Sequence, residues 1–92
     1  MKVYVRAFGP LQAALGNDRI ELELQENSTV KDAIGSLVDG WVIPNRPDFW
    51  DVKNKRFSLP VVVMVANQDV QDESQQLNDG QEIFLVAPMA GG

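Results

Sequence analysis

Only one long stretch of this 92-residue chain repeats its apolar side chains at helical spacing. Val30, Ala33, Ile34, Leu37 and Val38 fall at i, i+3, i+4, i+7 and i+8, a continuous stripe along one helix face. Thr29 stands at the N-cap position, and Asp32 lies in the first turn, where negative charge is favoured. Asp39-Gly40 is expected to end the helix. A single amphipathic helix must bury its stripe against another layer, and the rest of the sequence supplies strands.

Residues Lys2–Phe8 place Val3, Val5 and Ala7 on one face, the period-2 pattern of a half-buried strand. Gly9-Pro10 breaks it, and residues 10–16 read as a short helical segment with Pro near its start and Gly just past its end. Asn17-Asp18 is expected to turn the chain. Residues 19–25 alternate again, with Ile20, Leu22 and Leu24 inward, which predicts an antiparallel hairpin with the first strand. Pro60 opens an apolar run over residues 61–66, read as a strand covered on both faces. A turn is expected at Asn67-Gln68-Asp69, a short edge strand at Val70 and a polar connection over residues 72–76. Leu77-Asn78-Asp79-Gly80 reads as a further turn. The last strand, residues 81–86, carries Ile83 and Leu85 on one face and Phe84 and Val86 on the other.

Residues 41–59 are interrupted by Pro44 and Pro47 and hold Trp41, Phe49, Trp50 and Phe57. Two readings stand: a loop anchored over the core by its aromatics, or a binding loop. The order strand, strand, helix, long loop, strand, short strand, strand predicts an α+β roll of β-grasp type, with a mixed sheet of four or five strands packed on one main helix. Residues 1–92 are expected to form a single domain with a flexible C-terminal tail at 88–92.

The chain has no cysteine and no histidine. That excludes disulfides, cysteine-ligated metal centres, thiol nucleophiles and Ser-His triads, and no metal site or cofactor is expected. A net charge of −5 argues against a nucleic-acid partner. The one basic cluster, Lys53-Asn54-Lys55-Arg56, lies among acids at Asp48 and Asp51 and reads as a solvated loop. The carboxylate pairs Asp69 and Asp72, and Asp72 and Glu73, read as solvated turn residues. No apolar run approaches the ~18 residues of a membrane span. Residues 1–6 alternate as a strand and lack a signal peptide's apolar block, so a cytoplasmic location is expected.

What remains is the end of the chain, Ala87-Pro88-Met89-Ala90-Gly91-Gly92. Pro88 has no N–H to give a sheet ladder, so pairing is expected to stop there. Fully extended, the last five residues reach on the order of 16 Å. A carboxylate becomes an acyl donor only once activated, and an activating site must admit it while excluding water. Glycines lack Cβ and let a backbone pass a narrow channel. The terminal carboxyl of Gly92 is then the reactive group, and the chain needs no acid, base or nucleophile of its own.

Thr29-Val30 opening the helix, the Val65-Ala66-Asn67 turn, the run Leu77-Asn78-Asp79-Gly80-Gln81-Glu82-Ile83 and the ending itself resemble the MoaD family of ubiquitin-like proteins. MoaD is the small sulfur-carrier subunit of molybdopterin synthase, and its relatives include ThiS and the small archaeal ubiquitin-like modifiers. The resemblance runs along the whole chain and is most specific over residues 77–92. It implies that Gly92 is adenylated by a MoeB-like ATP-dependent enzyme and converted to a thiocarboxylate. The tail residues Pro88, Met89, Ala90 and Gly91 would enter a MoaE-like large subunit and deliver sulfur to molybdopterin. A modifier would instead join the same carboxyl to lysines of target proteins, and a plain interaction domain would use neither. Phe84 and Val86, beside the tail root, are the expected partner-binding residues. The chain has Gln68 where the family turn usually has Gly, and Ala87-Pro88 where it often has Pro-Pro.

Overall fold

The alternating strands and the single helical stripe meet in a computed structural model that describes residues 1–16 and 18–88. Asn17 of the expected turn, and Met89, Ala90, Gly91 and Gly92 of the tail, lie outside the described residues. Strand β1 (Lys2–Phe8) buries Val3, Val5 and Ala7. A 3-10 turn over Gly9–Leu11 and a short helix α1 (Gln12–Leu15) lead to β2 (Ile20–Glu23), which pairs antiparallel with β1. The main helix α2 (Val30–Leu37) follows. The last strand, β7 (Glu82–Val86), lies parallel to β1, with Val5 opposite Ile83 and Ala7 opposite Leu85. On its other side β7 pairs antiparallel with β5 (Val62–Val65), and β5 with β6 (Gln68–Asp69). The five-stranded order is β2-β1-β7-β5-β6, a mixed sheet as expected.

One face of this sheet carries the core. Val3, Val5, Leu22, Val65, Ile83 and Leu85 belong to one cluster with Val30, Ala33, Leu37 and Val42 from the helical segment, all at most 3% exposed. Among the described residues no polar or charged side chain is buried. The helix start is fully paired. Thr29 and Asp32 form a reciprocal capping box, in which the Asp32 N–H donates to Thr29 Oγ1 at 3.3 Å and the Thr29 N–H donates to Asp32 Oδ2 at 2.9 Å. The next two amides reach out of the helix: Val30 N–H donates to the Gln75 carbonyl at 3.0 Å and Lys31 N–H to that of Glu73 at 2.9 Å. The polar connection therefore covers the helix end and satisfies donors that the helix cannot satisfy itself.

Four expectations need correction. The helix does not stop at Asp39-Gly40: Val38–Val42 form a wider π turn, and α3 (Ile43–Asn45) adds a last α turn. Val38 and Val42 are buried and Trp41 packs on the core, so the apolar stripe keeps the chain on the sheet. Pro44 explains the widening, since it has no N–H for the Gly40 carbonyl and its ring would press on that group in an α turn. Second, residues 41–59 contain a small hairpin, β3 (Trp50–Asp51) with β4 (Arg56–Phe57). Trp50 and Phe57 meet edge to face at 5.1 Å across it, Asp51 caps Asn54, and Lys55 takes a positive φ of 55° at the turn. Trp41, Phe49, Trp50 and Phe57 are half-buried on the core, which is the anchored arrangement. Third, the β5 hairpin turns at Ala66-Asn67, with φ of 54° and 62°, so Gln68 and Asp69 are already strand and Val70 only follows it. Fourth, β5 is covered on its inner face only: Val62 is 37% exposed and Met64 half-buried.

The capping box gives the first test. Thr29→Ala is expected to cost about 1 kcal/mol in urea denaturation. The amide and hydroxyl of Thr29 hold the Asp32 carboxyl below its ordinary value of 3.8. That contribution is complete above the ordinary value and is lost as pH falls through the depressed one, so Asp32→Asn should flatten the acid end of the stability profile.

Candidate functional site

The end of β7 is where the chain leaves the sheet. Ala87 follows Val86, is 2% exposed, and donates its N–H to the Phe8 carbonyl at 3.2 Å. This bond extends the β1–β7 ladder by one residue. Pro88 comes next, is exposed, and cannot donate to the ladder. The transition from buried sheet to exposed chain thus takes a single residue. The expected reactive group, the Gly92 carboxylate, and the tail residues Gly91, Ala90 and Met89 lie outside the described residues; Pro88 stands at their root.

Beside that root the outer face of the sheet is apolar. Strand register sets Phe8, Val86 and Val62 in one row, and Arg6, Phe84 and Met64 in the next. Phe8 and Phe84 stack at 5.9 Å between ring centroids. Phe8 is 40% exposed, while Phe84, Val86 and Met64 are half-buried, and among the described residues no second layer lies over them. Farther along the same face the character changes. The Arg19 guanidinium lies 4.2 Å from the Tyr4 ring centroid and 3.7 Å from Glu82, and Lys2 sits 3.5 Å from Glu21, which raises the pKa of its ammonium. The outer face is thus apolar at the tail end and charged at the other.

Phe84 and Val86 therefore share one face beside the tail root. Phe8, Val62 and Met64, which extend the same surface, were not singled out from sequence. The signal was present for Phe8, at an outward position of β1. For Val62 and Met64 it was hidden inside an unbroken apolar run.

One concave feature lies under the β3–β4 hairpin, where Trp50, Phe57, Ile34, Val61 and Val63 line about 240 Å³ with Lys55 at its wall. That is below the ~300–1,000 Å³ of ordinary small-molecule sites. Nearby, the Arg46 guanidinium bonds Asp48 at 2.8 and 3.0 Å and holds that carboxyl below its usual range. Asp72 is held low by the Ser74 hydroxyl and amide. Both carboxylates are exposed and locally bonded, the arrangement of turn residues rather than of an acid–base pair. Among the described residues no cluster of metal-ligating side chains occurs, and no helix is long and apolar enough to cross a membrane.

The model of the ThiS family matches residues 5–92 of the chain. No curated protein sequence matches it. Among solved structures, SAMP1 from Haloferax volcanii is similar with a TM-score of 0.81 and 17% identity over 100% of both chains. A putative molybdopterin converting factor, subunit 1, from Pyrococcus furiosus gives 0.69 and 22%, covering 96% of this chain and 98% of that one. A complex of subunits 1 and 2 of molybdopterin-converting factor from Helicobacter pylori 26695 gives 0.62 and 18% over 100% of both chains. At these identities the likeness is one of fold: the ubiquitin-like β-grasp roll.

The geometry at the root makes a measurable statement. The Ala87 amide, buried and bonded to Phe8, is expected to exchange its hydrogen at least about a hundredfold more slowly than an unstructured amide. Exchange at the unstructured rate would mean that the ladder ends at Val86.

Proposed function

The chain belongs to the ThiS family, and on that footing we propose that it is a sulfur carrier acting through the carboxylate of Gly92. The observation that carries the reading is the delivery of the chain from buried Ala87 to exposed Pro88 beside an apolar face that no other described element covers. Such a face suits docking on a partner protein. The last three residues are Ala, Gly and Gly, which present little bulk to a closed site.

In the proposed reaction a MoeB-like enzyme binds ATP, and a Gly92 carboxylate oxygen attacks the α-phosphorus. Pyrophosphate leaves and an acyl-adenylate remains. A hydrosulfide-level sulfur nucleophile then attacks the carbonyl carbon, AMP departs with the C–O bond electrons, and the product is a thiocarboxylate. The carrier supplies the acyl group and the docking face; the enzyme supplies the nucleotide site. A MoaE-like large subunit is the proposed acceptor for molybdopterin assembly, a partnership of the kind seen in the Helicobacter pylori complex of subunits 1 and 2.

A second reading is favoured by the fold likeness to SAMP1, a small archaeal modifier protein. There a lysine amine replaces the sulfur nucleophile and the product is an isopeptide. Intact mass spectrometry from the native cell separates the two: replacement of one terminal oxygen by sulfur supports the carrier, branched lysine adducts the modifier.

Deletion of Gly91 and Gly92 is expected to abolish ATP–pyrophosphate exchange with the activating enzyme while changing stability by no more than ~0.5 kcal/mol. Full exchange by the truncated chain would sink the reading. Val86→Asp is expected to weaken binding to the same enzyme and leave the melting transition cooperative; unchanged affinity would remove the docking role from this face.

A further inference from the structure

Gly9 takes a positive φ of 77°, which alone favours glycine. Its surroundings add a second constraint. A Cβ built on Gly9 would run into the carbonyl oxygen of Ala87 and come within 3.3 Å of the carbonyl carbon. Neither atom can yield as a side chain can, because both belong to backbone. The Ala87 amide is held by Phe8, so the carbonyl would have to rotate or the root would have to lift.

That carbonyl is joined directly to Pro88. The residue before a proline is confined to extended conformations, and proline's own φ is fixed near −65°. Two of the dihedrals through which the chain leaves the sheet are therefore narrow. A displaced Ala87 carbonyl cannot be absorbed next door and passes into the direction of exit. We infer that Gly9 is a positioning residue for the tail: its bare Cα seats the Ala87 carbonyl and fixes where the tail starts relative to the Phe8–Phe84–Val86 face. The inference rests on the carrier reading and adds to it the residue that aligns docking face and reactive end. An activating enzyme that grips that face then receives the tail from a set starting point and direction, the kind of orientation on which rate depends.

Gly16 supplies the internal control. Its φ is 82°, close to that of Gly9, but a Cβ there meets nothing within 4 Å. Gly16→Ala therefore suffers the backbone strain alone, and Gly9→Ala suffers strain and collision. The experiment compares full-length wild type, Gly9→Ala and Gly16→Ala in ATP–pyrophosphate exchange with a MoeB-like enzyme, with a thermal melt of each. Gly16→Ala should keep kcat and KM within about twofold of wild type. Gly9→Ala should keep KM within about twofold, because the docking face persists, and lose kcat by at least about tenfold. Wild-type kcat in Gly9→Ala, a loss confined to KM, or unfolding of Gly9→Ala under assay conditions would each overturn the positioning role. Absence of exchange by the wild type would instead overturn the carrier reading itself.

Discussion

The parallel pairing of β1 with β7 is the contact on which the other features depend. It joins Tyr4 to Glu82 and Phe8 to Val86, the two ends of the described chain, at the centre of the sheet. Parallel neighbours cannot be joined by a tight turn, so everything between them serves as one long crossover. The helix fills that crossover and lies on the inner face, where Val3, Val5, Ile83 and Leu85 wait for its stripe. The long loop, its hairpin and the β5–β6 pair complete the return path. Closing so large a loop costs chain entropy, and the apolar rows on the inner face supply the offsetting burial.

The same pairing places chemistry. With β7 central and last in order, the chain exits from the middle of the sheet rather than from an edge. Ala87 is held by Phe8 on one side, and Val86 just before it pairs with Val62 of β5 on the other, so the tail begins at a defined point. In the proposed reading the domain is a handle: side chains give the grip, and the reactive group is the chain's own terminal carboxylate. A chain without cysteine or histidine loses nothing by such an arrangement.

Much of this was legible in the sequence wherever a signal was local. Period-2 rows named β1 and β7, and Thr29 with Asp32 marked the helix start. The misses share a cause, which is that tertiary context overrode a local sign. Asp39-Gly40 reads as a stop, but Val42 is fully buried and the helix runs on through a widened turn. Strands of two residues, such as Trp50–Asp51 and Arg56–Phe57, are too short to show a period. Ala66 and Asn67 turn the chain at positive φ without a glycine, which shifted the expected strand by two residues. At the candidate site, Phe84 and Val86 could be read from alternation alone. Gly9 could be read only as a strand breaker, because its neighbour Ala87 is distant in sequence and no local pattern joins them.

The two edge strands of the five-stranded sheet are poor templates. β6 has only two residues, both exposed, and β2 presents Glu21 and Glu23 outward. Short, polar edges of this kind do not invite another chain to extend the ladder. The molecule therefore carries its apolar patch on a sheet whose edges are poor sites for backbone pairing, and its net charge of −5 adds mutual repulsion. The apolar surface is thereby kept on a sheet face and away from the strand edges through which chains add to a ladder.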